Sequence, residues 1–382
     1  MKWILAAPMF WVWIFWGSVA VIAYTYFGYP GWLWLRGRWR RKDVMRGPYV
    51  PFVSIVMVVR NEERVLERKL ENLLSLDYPA ELTQLVVVSD GSTDSTEAIL
   101  HSYASNPRVS VVLNQLSRGK ASGLNDACEL AQGEIVVFTD ARQEVEPGAL
   151  RLLLENFADP QVGCVSGELM LGDPEKGETR EGLGVYWRVE KRIRELESAS
   201  GSVVGATGAF YAIRRNLLMP LPPETILDDV YLPMQVVRQG FRVVFDSRVR
   251  VWDSDLGTAH EFARKVRTLS GNYQLLQLAP WLLTSANPIR FEFFSHKLLR
   301  LIVPFALAGT LVASIALRSP VYRVALALQT AFYGLSGLAV AQVKEGPLAR
   351  MADAVLTFVV LNTAAVVAFV NFVSGRKAAW IR

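Results

Sequence analysis

The stretch LTQLVVVSDGSTDST, residues 82–96, decides the fold. Its apolar residues run unbroken from Leu85 to Val88 instead of alternating with polar ones. Such a run suits a strand of a parallel sheet covered on both faces. It stops at Ser89-Asp90-Gly91, and Ser92, Thr93 and Asp94 stand where the helical pattern STEAILHSYA (95–104) would be capped. The same pattern recurs outward from this point. FVSIVMVV (52–59), VSVVLN (109–114), EIVVFTD (134–140) and GCVSGELML (163–171) read as further strands. EERVLERKLENLLSL (62–76) carries Val65, Leu66, Leu70, Leu73 and Leu74 on one helical face, and GKASGLNDACELA (119–131) does likewise with Leu124, Ala127, Cys128 and Ala131. Strands alternating with helices predict a doubly wound α/β domain over residues 50–260, with a mostly parallel sheet. Ligands of such sheets bind beyond the carboxyl ends of the strands.

The polar residues gather at those ends. The first strand stops at Arg60-Asn61-Glu62-Glu63, the second at Ser89-Asp90 and the fourth at Asp140-Ala141-Arg142. One acid at one strand end is more often structural than functional; three such ends in one sheet converge on a ligand crevice. No Gly-x-Gly-x-x-Gly follows the first strand and no Gly-x-x-x-x-Gly-Lys-Ser/Thr occurs, which argues against the usual dinucleotide and phosphate-loop folds. In VVFTDARQEVEPGAL (136–150) the first acid of an Asp-x-Asp is present, and Arg142 stands where the second would be. Residues i and i+2 of an extended strand face the same way, so Asp140 and Arg142 are expected to share the site. Two arrangements are open. Asp140 and a diphosphate hold Mg²⁺ or Mn²⁺ between them, with Arg142 paired to a phosphate or to an acid such as Asp90. Alternatively, the Arg142 guanidinium replaces the charge of the metal. The first is the expectation.

The chain has 382 residues, 51% of them apolar, and that content is uneven. From Trp3 to Leu35 there is no charged residue, and Arg36, Arg38, Arg40, Arg41 and Lys42 follow. About 20 apolar residues already span a bilayer, and a basic cluster beside them tends to stay on the cytoplasmic side. Residues 1–35 are therefore expected to be a transmembrane helix. Three more apolar runs fill residues 298–373, and the segment 261–297 between them and the α/β domain reads as interfacial helices. Four crossings with the α/β domain in the cytosol would carry Arg376, Lys377 and Arg382 to the far side, against the positive-inside tendency. Either that tail is an exception or one run does not cross. The net charge of +5 is modest and clustered beside apolar segments, so anionic headgroups rather than nucleic acid are its expected partner. Cys128 and Cys164 have neither metal-ligand spacing nor a disulfide pattern and are expected to be reduced.

Taken in order, SIVMVVRNEE, VVVSDGSTDST, SRGKASGLNDA, VVFTDARQ, GATGAFYAIRR, ILDDVYLPMQVVRQGFRVVFD and RKVRTLSGNY resemble the membrane-embedded family-two glycosyltransferases, the group of the cellulose, hyaluronan and poly-N-acetylglucosamine synthases. The resemblance covers roughly residues 50 to 275. It implies a GT-A fold flanked by transmembrane helices, in a bacterial inner membrane with the catalytic domain cytosolic. It also implies inverting transfer of a sugar from a nucleotide-diphosphate sugar, here a UDP-sugar, to a glycan or lipid-linked acceptor, with a divalent cation. By that likeness Asp229 is the catalytic base, with Asp228 in the glutamate position beside it. Asp90 contacts the nucleoside, and Asn61 and Glu62 lie next to it. Lys120, Asp140, Arg142, Arg264 and Arg267 face the diphosphate, with Asp140 as metal ligand. Gly205, Thr207 and Gly208 line the acceptor side. Two adjacent carboxylates also raise one pKa, which suits a base near neutral pH. The chain departs from the synthases where Gln-x-x-Arg-Trp becomes Arg264-Lys265-Val266-Arg267-Thr268. Without that tryptophan, transfer of one or a few sugars is expected over a processive synthase that extrudes its product. A catalytically inactive subunit of a synthase complex, needing an oligomeric or partner assembly, is the rival from another class.

Overall fold

The computed structural model describes residues 2–173, 178–179, 184–253, 258–341 and 346–376. Lys2–Ala23 (α1) continues through a π-helical turn, Tyr24–Gly28, into Tyr29–Trp39 (α2). The α/β half then begins with Val53–Val59 (β1), Leu66–Leu74 (α3), Thr83–Asp90 (β2), Thr96–Tyr103 (α4), Val109–Asn114 (β3), Lys120–Leu130 (α5) and Ile135–Thr139 (β4). These four strands pair in parallel in the order β3-β2-β1-β4, as their unbroken apolar runs require.

The rest of the sheet is mixed. Glu144–Val145 (β5), Ala149–Glu155 (α6), Val162–Asp173 (β6), Glu178–Thr179 (β7), Gly184–Ser200 (α7), Phe210–Arg214 (β8), Asp228–Arg238 (α8) and Arg242–Asp253 (β9) complete it. β8 lies antiparallel between β4 and β6, β6 pairs with β9 in parallel, and β5 closes the far edge antiparallel to β9. The mostly parallel sheet expected from sequence thus holds for its first half. FYAIR is short and enters from the glycine-rich GATGA, so its strand character comes from its two neighbours more than from its own pattern. Phe138 on β4 stacks on Tyr211 of β8 with ring centroids 4.6 Å apart, which fixes this join. Cys164 is buried in the core and Cys128 is half-buried; both are free thiols, and burial pushes Cys128 up to about 12.

Thr258–Leu278 (α9) carries the Arg-x-x-Arg pair, followed by Arg290–Phe293 (α10), a π-helical turn, Leu299–Ala316 (α11), Pro320–Val340 (α12) and Pro347–Val373 (α13). Among the described residues, three helices are long and apolar enough to cross a membrane: Met9–Trp39, Arg290–Ala316 and Leu348–Val373. α1 lies along α11, and the two π turns meet where the Tyr24 hydroxyl and Ser295 Oγ are 3.0 Å apart. α13 packs along α9, with Tyr273 against Phe369 and Phe372. Gly375 then turns the chain at φ +67°, a conformation that favours glycine. Arg376 thereby lines the same cavity as Lys120 and Arg267, which puts the end of α13 against the α/β domain. Lys377 and Arg382 lie outside the described residues. A reporter inserted after Arg376 is expected on the same side of the membrane as one inserted in an exposed loop of the α/β domain. Opposite accessibility of the two in intact cells would contradict this packing.

Candidate active site

Three loops meet beyond the carboxyl ends of β1, β2 and β4. At β2, Asp90 is fully buried. Its two oxygens accept hydrogen bonds from Ser117 Oγ (2.7 Å), the Arg118 amide (2.7 Å) and the Gly119 amide (2.9 Å). Asp90 thus holds the loop that precedes α5. Gly91 makes this close approach possible, because a Cβ there would lie 2.6 Å from the Ser117 amide nitrogen. At β1, Asn61 takes φ +57° and accepts a hydrogen bond from the Thr93 amide (2.8 Å), while the Glu62 amide donates to Thr96 Oγ1 (2.9 Å). Asn61 thus ties the first strand end to the second, and half-buried Glu62 faces the site. Burial pushes the Glu62 carboxyl up; Arg142 opposes this and Asp140 adds to it.

Lys120, the first residue of α5, reaches the centre. Its Nζ lies 2.9 Å from Asp140 Oδ1 and 3.3 Å from Asp228 Oδ1. Burial opposes its charge, but Asp140 and Asp228 outweigh it and hold the ammonium above its ordinary range. Asp228 also accepts from the buried Tyr211 hydroxyl at 3.3 Å. Asp229 follows at the start of α8, where the helix N-terminus favours acids. Burial, then the neighbouring Asp228, pushes Asp229 up to about 6, although Lys120 and Lys297 pull the other way. The expected acid pair is thus together, with the second acid raised.

The loop of Gly205, Thr207 and Gly208 is bound to the same helix. Gly205, at φ +89°, lets the Ala206 amide donate to the Asp229 carbonyl at 2.6 Å. The Gly208 amide donates to Asp229 Oδ2 at 3.2 Å. A side chain at Gly208 would come within 3.3 Å of Asp229 Oδ2 and 3.7 Å of Asp140 Oδ2, so its absence keeps open a space between the two carboxylates. Thr207 accepts a hydrogen bond from Arg194 of α7.

Arg142 pairs with an acid other than Asp90. β4 ends at Thr139, so Asp140 and Arg142 sit on a bend and the two-residue alternation no longer applies. Arg142 lies 3.7 Å from Asp253 at the end of β9, not against Asp90. Gln143 Nε2 donates to the same Asp253 carboxylate at 3.0 Å. Behind the bend, buried Lys69 donates to the Gln143 carbonyl at 2.6 Å, and burial lowers its pKa to about 7 against the pull of Asp140 and Glu144. Lys69 escaped the sequence reading although a signal existed: it falls on the apolar face of α3 with Leu66, Leu70 and Leu73. Asp253, Arg194 and Arg376 had no local signal.

A cavity of about 500 Å³ opens beside Lys120. Arg118, Lys120, Arg267 and Arg376 line it, together with Glu224. Arg267 thus joins the expected site, while its helix neighbour Arg264 is not among the lining residues. Among the described residues, no three His, Cys, Asp or Glu side chains are grouped as a metal site. A cation here would rest on Asp140 and on ligand oxygens, and the space left by Gly208 fits that arrangement.

The curled α/β sheet is of the GT-A class, as the structural likeness below shows. Residues 54–221 match the family described as Glycosyl transferase family 2, so the chain carries a domain of that family. It is 26% identical over 276 residues to the beta-monoglucosyldiacylglycerol synthase of Synechocystis sp., a match over 69% of this chain and 57% of that protein. It is 22% identical over 236 residues to the poly-beta-1,6-N-acetyl-D-glucosamine synthase of Staphylococcus epidermidis, covering 60% of this chain and 56% of that one. The chain thus spans somewhat over half the length of these curated relatives. The solved mannosyltransferase PcManGT of Pyrobaculum calidifontis, in complex with GDP-Man and Mn²⁺, is similar over 94% of this chain and 99% of its own, with 25% identity and a TM-score of 0.74.

Asp229→Asn is nearly isosteric and cannot accept a proton. It is expected to lose about a hundred- to ten-thousand-fold in sugar transfer. The wild-type rate should fall as pH drops through about 6, where Asp229 gains its proton. Asp228→Asn removes the neighbouring charge that raises this value, so the acidic limb should move to lower pH. A pH–kcat profile of each protein checks both; an unmoved limb in Asp228→Asn would detach it from this pair.

Proposed function

We propose that the protein is an inverting hexosyltransferase that moves a sugar from a nucleoside-diphosphate sugar to a hydroxyl acceptor at the cytosolic face of a membrane. The observation that carries this is the juxtaposition of a raised carboxylate, Asp229, with a cavity lined by Lys120, Arg267 and Arg376. Transfer needs a base and a sink for negative charge, and these residues supply one of each. Asp229 takes the proton of the acceptor hydroxyl as its oxygen attacks the anomeric carbon. The bond from that carbon to the diphosphate breaks on the opposite face, and its electrons leave with the nucleoside diphosphate. Lys120, Arg267 and Arg376 are placed to meet the departing charge. Asp90 acts indirectly, by fixing the loop that sets Lys120.

We assign a divalent cation to Asp140, where it would neutralise the diphosphate. The residues fit this: Lys120 engages one oxygen of Asp140, and the other borders the space beside Gly208. The Mn²⁺ in the structurally similar mannosyltransferase supports it. Exposed Thr268, where processive synthases carry tryptophan, favours transfer of one sugar or a few over a long extruded chain. Two donors compete: a UDP-sugar, expected from the motifs, and GDP-Man, which the mannosyltransferase binds.

The test is release of nucleoside diphosphate by purified protein from UDP-glucose, UDP-N-acetylglucosamine and GDP-mannose. One donor should turn over, chelator should abolish turnover, and Mg²⁺ or Mn²⁺ should restore it. Full activity in chelator, on protein shown to be metal-free, would overturn the cation. No turnover of any donor, with membrane acceptors supplied, would favour an inactive subunit. Asp90→Ala should release the 117–119 loop and weaken nucleoside diphosphate binding, read by calorimetry.

A further inference from the structure

Two buried carboxylates of α7 meet a histidine from a helix that could cross the membrane. Glu190 and Glu197 stand seven residues apart on α7, so they share one face of it, and both are buried. His296 belongs to the π-helical turn within Arg290–Ala316 and is only 2% exposed. Its Nδ1 lies 2.8 Å from Glu197 Oε1. Its Nε2 lies 3.1 Å from Glu190 Oε1 and 3.3 Å from Glu190 Oε2. An ionised carboxylate only accepts hydrogen bonds, so both ring nitrogens have to donate, and that takes the doubly protonated ring. Burial works against charge on Glu190, yet Arg300 and His296 hold its carboxyl well below the usual range.

Each glutamate holds one end of the loop that grips the proposed base. Glu197 Oε2 accepts a hydrogen bond from the Val204 amide at 3.2 Å. Glu190 Oε1 accepts from Arg194 Nε at 3.3 Å, and Arg194 Nη1 donates to Thr207 Oγ1. The same loop bonds Asp229 twice, from the Ala206 amide to its carbonyl and from the Gly208 amide to its Oδ2. Other groups brace the cluster. Arg300 of α11 donates to Glu190 Oε2 at 2.7 Å, and the buried Tyr29 hydroxyl of α2 donates to Glu197. Arg36 of α2 pairs with Glu292, one turn before His296. His296 itself bonds to both glutamates, and so to the supports of both ends of the loop.

We propose that His296 is a positioning residue for sugar transfer: one imidazolium, bridging Glu190 and Glu197, sets the loop from Val204 to Gly208 against Asp229. This deepens the glycosyltransferase reading and rests on it for the catalytic consequence. A neutral ring would turn a lone pair toward one of the two carboxylates, and the support on that side would loosen. The ring comes from one helix and Asp229 from another, so the seating of the helix that begins at Arg290 is transmitted to the base. His296 touches neither Asp229 nor Lys120; its effect runs through the two glutamates, Arg194 and the loop amides.

The test has a spectroscopic arm and a kinetic arm, both on the full chain in nanodiscs. The chain has three histidines, so His101→Gln with His260→Gln leaves His296 alone to carry a nitrogen-isotope label. At neutral pH both of its ring nitrogens should be protonated; a single neutral tautomer would overturn the bridge. In the kinetic arm, His296→Gln keeps one donor and loses the other. It should lower kcat about ten- to a hundredfold, with donor KM and nucleoside diphosphate affinity within about threefold of wild type. Glu197→Gln keeps an oxygen for the Val204 amide but turns an amide N–H toward the ring, so it should lower kcat likewise, even if His296→Gln fails to fold. Thr207→Val keeps the shape and removes the hydroxyl that Arg194 bonds. Combined with His296→Gln, it should be slower than the slower single variant by no more than about threefold, because both act on one loop. Fully multiplicative losses, wild-type kcat in the folded single variants at the cluster, or a loss of donor affinity equal to the loss of kcat would overturn the positioning role. If no donor turns over, the glycosyltransferase reading fails by itself, and the protonation of the ring still decides the bridge.

Discussion

One ammonium group holds the two halves of the sheet in register at the site. Lys120 comes from the parallel half, on the helix after β3, yet its Nζ sits between Asp140 at the end of β4 and Asp228 at the start of α8. A half-buried charge between two carboxylates tolerates no missing partner, because each group left alone would keep its desolvation cost. The contact therefore fixes α8, and with it Asp229, against the strand ends. The same ammonium lowers the Asp229 pKa while Asp228 and burial raise it. The balance leaves Asp229 within the range where a carboxylate accepts protons usefully near neutral pH. Asp90 and its three hydrogen bonds to residues 117–119 aim Lys120 in turn.

What could be read in the sequence follows from how local each feature is. β1 to β4 were legible because each is a short apolar run that ends abruptly in polar residues. The acids at those ends were legible for the same reason, and Asp228, Asp229 and Lys120 meet as the motif order implied. β8 and β9 were not recognised as strands, since their places depend on pairing with β4 and β6. The partner of Arg142 was not legible, because β4 ends at Thr139 and Asp253 comes from a distant strand. Asp253 and Arg376 reach the site from distant segments, so no spacing rule could have selected them. Lys69 was the avoidable omission: a lysine on an apolar helix face has to find a buried partner, and it finds the Gln143 carbonyl.

The membrane helices bear on the chemistry instead of merely anchoring it. α13 lies against α9 through Tyr273, Phe369 and Phe372, and its end delivers Arg376 to the cavity that holds Arg267 of α9. The two arginines, from segments far apart in sequence, are thus positioned by two aromatic contacts of Tyr273. On the opposite side, Glu190 gathers Arg194, Arg300 and His296, tying α7 to the helix that begins at Arg290. A shift of either helix would be felt at Arg267 and Arg376 or at the loop of Thr207 and Gly208.

The charges also bear on the altered Asp-x-Asp. The Arg142 guanidinium faces Asp253, and Lys120 is shared by two carboxylates. Asp140, Asp228 and Asp229 surround this one lysine, so acids outnumber bases at the centre before any ligand arrives. A nucleoside diphosphate brings further negative charge into the same space, so attraction has to come from groups not already neutralised. Arg267 and Arg376 supply part of it from the cavity wall. A divalent cation entering with the diphosphate, on the free oxygen of Asp140, would supply the rest, and Gly208 leaves it room. Arg142, held on Asp253 beyond the bend, is poorly placed to replace that cation. Its position instead steadies the segment from which Asp140 projects, together with the hydrogen bond from Lys69.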